Sequence, residues 1–561
     1  MKPNDVPSEV RASASPLALW EQAWRYQVDL FQRSVLFLDI LRERADNMLA
    51  HDAAGLPPLI HFEYEQIVDA RQFERPANYA LLKITACGEA HLETHVRSDA
   101  CPVIVLDPRA GHGPGIGGFK RDSEVGVAML AGHPVYFVMF FPEPCPGQTL
   151  ADVLHALRRF VEEVAGRHKR APVLYGNCQA GWAVALLAAD CEGLVGPAVL
   201  NGSPLSYWAG EADANPMRLG GGITGGTWLP HFLADLGDGR FDGAWLAQNF
   251  EALNPANSLW DKNYAVFSNP DAERERFLEF ERWWTGFYFL SREEIVDIVQ
   301  NLFVGNKLES GEIRLCHGCT VNLRRIRNPL LIFASSGDNI TPPHQALAWI
   351  PAVYRSTEDL KAAGQRIVYM LNAHVGHLGI FVSAKVARRE HAAILQNVAR
   401  LEALEPGLYE MKVSGGDGAL EVAFEPRRLE DFAYKYPKQS FEKVRQLSEW
   451  NESLYRAFVS PWVRAMATPW SAQLLKWAHP MRASRLAFSE RLAPAMSGVR
   501  ALAETVSEHR QPVAPDNPFL AWELAASAQV SASLEAFRRA RDAALEASFK
   551  WTYGQDASRN D

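Results

Sequence analysis

At 561 residues and 48% hydrophobic content, the chain is long enough for one large α/β domain with helical additions, and too apolar to be disordered. A net charge of −9 argues against a nucleic-acid surface. No run of about 18 clean apolar residues suggests a membrane span; the best stretch, Val125 to Phe141, is broken by Gly126, Gly132, His133 and Pro134.

Residues 1–14 read as a disordered tail, and 15–74 as an N-terminal helical region. Ser15-Pro16 opens a long helix by a cap and a first-turn proline. Trp20, Trp24, Val28, Phe31, Val35 and Leu38 recur at steps of three and four, one apolar stripe. Packing against the body of the same chain is the favoured role for that stripe, a partner or polymer surface the alternative.

An α/β core is expected over 75–203 and again over 326–404. Strands are predicted at 80–86, 102–107, 134–140, 172–175, 194–200, 328–334 and 366–371, with helices between them, notably 149–166 and 180–189. That alternation predicts a mainly parallel sheet. The strand at 102–107 opens into a long glycine-rich loop from Arg109 to Phe119, in which Ala110, Gly111, His112 and Gly113 are candidate oxyanion and substrate contacts. Gly113, Gly115 and Gly118 also satisfy G-x-G-x-x-G, but Pro108, Pro114 and the irregular course do not suit a dinucleotide turn.

The next strand carries the most informative motif. Val173-Leu174-Tyr175 runs into Gly176-Asn177-Cys178-Gln179-Ala180-Gly181, and an alanine-rich helix follows. A nucleophile on such an elbow sits in a strained backbone, so small neighbours are needed. Cys178 stands where a serine is usual, and the Gln179 backbone N–H is the first expected oxyanion donor. A buried, inert cysteine is the bland alternative. Residues 204–325 lack the strand pattern and read as a cap over Cys178, with a flexible stretch at Gly220–Gly226 and aromatic helical segments from Phe277 to Phe289 and Ser291 to Phe303. The lone Cys316-His317-Gly318-Cys319 lacks two further ligands for zinc and reads as a turn, with a redox role as alternative.

Two downstream strands end in candidate partners. Asp338 follows Leu330–Ser336 in a small-residue turn, and His377 lies between Gly376 and Gly379 after Ile367–Leu371. His374 is a rival without the tight glycine bracket. The order nucleophile, acid, histidine is that of an α/β-hydrolase, and the long first interval leaves room for an inserted cap. A thiol with an ordinary pKa of about 8.5 needs a base at neutral pH, and an aspartate fixes the tautomer of that base. Residues 405–561 read as a C-terminal helical region. Gly415–Gly418 marks a turn, Trp450, Trp462, Trp470 and Trp477 are expected core residues, and a last helix runs from Asn517-Pro518 to about Tyr553.

The elbow cysteine, Gly337-Asp338-x-Ile340-x-Pro342 and Gly376-His377 resemble polyhydroxyalkanoate synthases, and more closely a 3-hydroxyalkanoate synthetase-like group, over roughly residues 75–400. The resemblance implies an acyltransferase that carries an acyl chain on Cys178, activated by His377, with Asp338 assisting the incoming hydroxyl. It implies a 3-hydroxyacyl-CoA or related thioester as substrate, with no resident cofactor or metal. The synthase cap carries a tryptophan-asparagine-x-aspartate segment; the nearest stretch here is Arg282-Trp283-Trp284-Thr285-Gly286-Phe287-Tyr288, which makes Trp283 and Trp284 the candidate cap contacts to substrate. The chain departs from the synthases at Ala180, where they have glycine, and in its long oxyanion loop. A thioesterase or esterase using the same triad is the second expectation. A non-catalytic binding protein at a granule surface is the third. Seven scattered cysteines and no visible secretory signal point to the cytoplasm, with a granule surface or a second copy as candidate partners.

Overall fold

The computed structural model describes residues 15–210, 215–316, 319–415, 420–432, 434 and 438–554, apart from the side chains of 89, 315, 316 and 319. The predicted tail at 1–14 and most of the Gly415–Gly418 turn lie outside the described residues. So do the side chains of the C-x-x-C segment, whose flanking strands Ile313–Cys316 and Cys319–Val321 pair antiparallel.

A ten-stranded sheet forms the body: β1 Glu63–Asp69, β2 Tyr79–Ala86, β3 Val103–Leu106, β4 Val135–Phe140, β5 Val173–Asn177, β6 Ala198–Asn201, β7 Leu330–Ser335, β8 Arg366–Asn372, β9 Gly407–Ser414 and β10 Glu421–Arg427. Their spatial order is β1-β2-β4-β3-β5-β6-β7-β8-β9-β10. Pairing is parallel from β4 through β9 and antiparallel at β1/β2, β2/β4 and β9/β10. This is a mainly parallel α/β-hydrolase sheet.

The central strands are apolar end to end because helices cover both faces. Every residue of β3, β4, β5, β6 and β7 is buried. Helix α1 is Pro16–Ala53, and α2, Glu124–Leu130, precedes β4. Helix α3, Leu150–His168, leads from β4 to β5 and starts at a reciprocal cap between Thr149 and Asp152. Its buried positions, Leu150, Val153, Leu154, Leu157, Phe160, Val161 and Val164, repeat at helical spacing. Helix α4, Ala180–Asp190, is buried on all sides up to Ala189. The chain passes from β3 to β4 on one side and returns to β5 on the other. The loops after β3 and β5 therefore diverge at a crevice, where open α/β sheets gather functional groups.

The structure departs from three sequence expectations. First, β1 lies within the region read as N-terminal helix, and β9 and β10 lie within the one read as C-terminal helix. These strands extend the sheet at its edges, where half-exposed, charge-rich sequences hide the strand pattern. Second, the glycine stretch at 220–226 is largely helical, within Met217–Thr224. A Cβ at Gly222 would fall 2.8 Å from Phe549, so glycine serves close packing there. Third, Trp450, Trp462 and Trp470 are exposed rather than core, and of the α1 stripe Trp20, Trp24, Phe31 and Leu38 are exposed while Val35 is buried with Ala503 and Val506.

The chain also divides differently from the predicted cap. One compact unit comprises His51–Leu253, Trp283–His479 and Arg539–Asp561 and contains the sheet. The other gathers Met1–Ala50, Asn254–Arg282 and Pro480–Arg538, and its described elements are helical. Within the second unit, Ile40, Val266 and Phe277 share a buried cluster. The buried Glu281 carboxylate meets Lys262 at 2.7 Å, Arg485 at 3.3 Å and Arg44 at 3.5 Å.

Candidate active site

The loop after β5 turns so sharply that Cys178 adopts a left-handed backbone, φ 50°. Only a tightly determined turn holds a non-glycine residue there. The Cys178 N–H donates to the Asn201 carbonyl at 2.8 Å, which fixes the elbow to the end of β6. Small residues let the helix follow at once. A Cβ on Gly176 would lie 2.7 Å from Val184, and one on Gly181 would lie 1.9 Å from Ser203 Oγ.

Three loops at the carboxyl ends of β5, β7 and β8 bring Cys178, Asp338 and His377 together. His377 Nε2 lies 3.1 Å from Cys178 Sγ, and His377 Nδ1 lies 2.6 Å from Asp338 Oδ2. The other Asp338 oxygen, Oδ1, accepts the backbone N–H groups of Ile340 and Thr341, each at 2.8 Å. The carboxylate is thus fully engaged, and its second oxygen is aimed at the ring. All three side chains are buried. Burial by itself would lower the His377 pKa, but Asp338 and Cys178 hold it well above the usual histidine value. The rival His374 is exposed.

The glycine loop after β3 is built into a larger frame. Tyr288 N–H donates to the Gly111 carbonyl at 3.0 Å, and Gly113 N–H donates to the Gly286 carbonyl at 2.9 Å. His112 lies between them, its ring 5.0 Å from Trp283, 4.3 Å from Trp284 and 5.9 Å from Phe287. Trp283 Nε1–H donates to the Gly113 carbonyl at 3.2 Å, and Ala110 is buried beside them. The sequence-predicted loop residues and the two tryptophans therefore form one cluster. The Gly113 N–H is spent within it and is not free to meet an oxyanion. Gln179 is buried and caps the start of α4, where backbone N–H groups lack helical partners.

Sequence reasoning missed a buried polar chain behind the elbow. Asp107, at the end of β3, accepts the Gly115 and Gly117 N–H groups at 2.7 and 2.9 Å, and the Asn177 amide reaches it at 3.4 Å. Asn201 Nδ2 donates to Asn177 at 3.0 Å and approaches Glu124 at 3.4 Å. His391 donates from Nε2 to the Ile380 carbonyl at 2.7 Å and accepts at Nδ1 from Tyr175 at 2.5 Å. Burial pushes Asp107 up to about 6, Glu124 well above the carboxylate range and His391 down to about 4. Burial thus works against charge on both Glu124 and His391, which approach each other to 3.5 Å. An aspartate ending a strand and an asparagine preceding the nucleophile were the available signals.

Among the described residues, no group of three His, Cys, Asp or Glu could hold a metal ion, and no helix is long and apolar enough to cross a membrane.

A family model described as "Protein of unknown function (DUF3141)" matches residues 29–559. A protein of Rhizobium meliloti, named "Uncharacterized protein in ackA 5'region", is 44% identical over 565 residues, covering 98% of this chain and 76% of that protein. Similar solved structures include a monoglyceride lipase from Saccharomyces cerevisiae, with a TM-score of 0.40 and 14% identity over 63% of this chain and 98% of that one. Another is a thioesterase domain from the curacin biosynthetic pathway, with a TM-score of 0.32 and 11% identity over 60% of this chain and 99% of that one.

Proposed function

The chain belongs to the DUF3141 family, whose name carries no chemistry, and from its own site we propose a cysteine-nucleophile acyltransferase that passes through an acyl-thioester on Cys178. The single observation that carries this is the continuous contact Cys178 Sγ, His377, Asp338 at 3.1 and 2.6 Å. His377 Nε2 takes the thiol proton, and Asp338 keeps the other ring nitrogen protonated and stabilises the imidazolium. The thiolate attacks the carbonyl carbon of an acyl thioester. The Gln179 N–H is the first candidate donor to the resulting oxyanion, with the loop at Ala110, Gly111 and His112 as candidate second; one such donor is typically worth about 3 kcal/mol. Collapse expels the thiol leaving group, which takes the proton from His377, and leaves the acyl group on Cys178.

In the second half, an acceptor hydroxyl gives its proton to His377 and attacks the acyl-cysteine, and Cys178 is released as thiol. Both Asp338 oxygens are already engaged, so deprotonation of the acceptor falls to His377, and Asp338 acts through it. A 3-hydroxyacyl-CoA is the substrate suggested by the resemblance to polyhydroxyalkanoate synthases, because it supplies both a thioester and a hydroxyl.

The test is intact mass spectrometry after mixing the protein with 3-hydroxyacyl-CoAs, followed by addition of a hydroxyacyl acceptor. The expected result is a covalent adduct on Cys178 that persists in water and discharges on acceptor. An adduct that decays to free acid equally fast without acceptor would make the protein a thioesterase on the same triad. No adduct with any acyl thioester would overturn the nucleophile.

A further inference from the structure

The helical segment from Gln439 to Met466 buries Phe441, Val444 and Val463, but it also turns several polar side chains inward. Ser448 meets Thr227 at 3.1 Å, Glu452 meets His231 at 2.7 Å, and Tyr455 and Ser460 both donate to the buried Asp235, at 2.9 and 2.6 Å. Arg292 closes the last cluster at 3.1 Å from Asp235. Its outward ladder, Leu454, Phe458, Trp462 and Met466, steps by four residues along one face. After a two-residue break, helix Pro469–Ala478 exposes Trp470 and Leu474, again four apart. Phe458, Trp462, Met466 and Trp470 are 69%, 73%, 72% and 75% exposed. Single exposed apolar residues need no explanation, but a contiguous aromatic surface held out by a buried polar network does.

Charge says what would cover it. From Ser453 to Ala478 there is no aspartate or glutamate, although the whole chain carries −9. The exposed charges there are Arg456 and Arg464. Glu449, one turn earlier, is paired with Lys307 at 3.6 Å, and Asp238 shares with Arg464 a cavity of about 580 Å³ that Pro461, Ala465 and Ala467 also line. A symmetric contact with a second copy would set this acid-poor surface against itself and bring no further carboxylate to Arg456 or Arg464. Tryptophan, phenylalanine and leucine beside arginine, with acids excluded, match the interface of an anionic lipid bilayer. There the rings sit at headgroup depth and the guanidiniums meet phosphate.

We propose that residues 454–475 form a monotopic docking surface for anionic phospholipid bilayers. This inference is independent of the proposed acyl chemistry.

The test is flotation of the full chain with vesicles of phosphatidylcholine alone or mixed with phosphatidylglycerol, at low and high salt. Binding is expected to favour the mixed vesicles and to weaken with salt. The variant Arg456→Gln/Arg464→Gln should bind them about thirtyfold more weakly, since each juxtamembrane cation contributes about fivefold. Phe458→Ser/Trp462→Ser should bind at least about tenfold more weakly. Circular dichroism and thermal midpoints check that both variants fold, as the exposure of these side chains predicts. Equal binding to both vesicle types, binding to neither, or unchanged binding by either variant would overturn the proposal. So would a lipid-free dimer that both substitutions at Phe458 and Trp462 dissolve, which would assign the surface to a second copy.

Discussion

Cys178 holds its left-handed backbone only because the elbow is pinned at both ends, by the Asn201 carbonyl and by the packing of α4. A non-glycine residue there stores about 1–3 kcal/mol of strain. Cys178→Ala keeps the same backbone demand, so it should fold as the parent while losing all adduct in the mass spectrum. Alkylation by iodoacetamide at neutral pH should modify Cys178 before Cys87, Cys101 or Cys191, whose thiols burial pushes up. Asp338→Asn should slow acylation and discharge alike, by up to about 10⁴-fold, because it removes the tautomer anchor of His377. Single-turnover rates of the two half-reactions test this. An effect confined to discharge would return a direct role to Asp338.

His377 also carries a pH signature. Its folded pKa is raised above an ordinary value of about 6.5, so its ionic contribution to stability is complete below that pH and is lost as pH rises through the folded value. In a Cys178→Ala background only Asp338 still opposes the ring. Urea unfolding of Cys178→Ala should therefore exceed that of Cys178→Ala/His377→Gln most at low pH, with the gap closing as pH rises. A gap that widened with pH would contradict the Asp338 pairing.

At the scale of elements, the elbow works because a strand, a turn and a helix approach more closely than side chains normally allow. Gly181 faces Ser203 at a distance no Cβ tolerates. Gly181→Ala should therefore force α4 away from the loop after β6 and destabilise the protein by about 1–3 kcal/mol, read from urea unfolding. This closeness was legible in the sequence as the glycine bracket around Cys178. The strands carrying the three partners were legible too, because parallel strands buried on both faces read as unbroken apolar runs. The edge strands were not. In β1 and β10 much of the surface faces water, so charge replaces apolar alternation and the local signal fades. The outward face of the C-terminal helices was not legible, and Trp450, Trp462 and Trp470 read as core although they are exposed. Helical spacing says which residues share a side, not which side is buried.

At the scale of the molecule, the helical unit is assembled from three separated stretches, and Glu281 meets a cation from each: Arg44, Lys262 and Arg485. Burial alone would raise its pKa, but these partners lower it to about 2. That contribution is present above an unfolded value of about 4.3 and is lost as pH falls toward 2. Glu281→Gln should destabilise this unit by about 3–5 kcal/mol at neutral pH, because it leaves buried cations unpaired. The difference should shrink in acid, as followed by urea unfolding between neutral pH and pH of about 3. The sequence by itself determined the parallel core and the elbow, and it singled out Cys178, Asp338 and His377 as candidates. Each depends on local chemistry: apolar runs, glycine at tight turns, and titratable groups at strand ends. Only the tertiary structure decided that residues 254–282 leave the predicted cap for the helical unit. It also decided that Asp107, Asn177, Asn201 and Glu124 line up behind the elbow, and that a row of tryptophans faces outward. Those outcomes depend on which distant surfaces meet, and pairing between remote segments leaves no periodicity in either one.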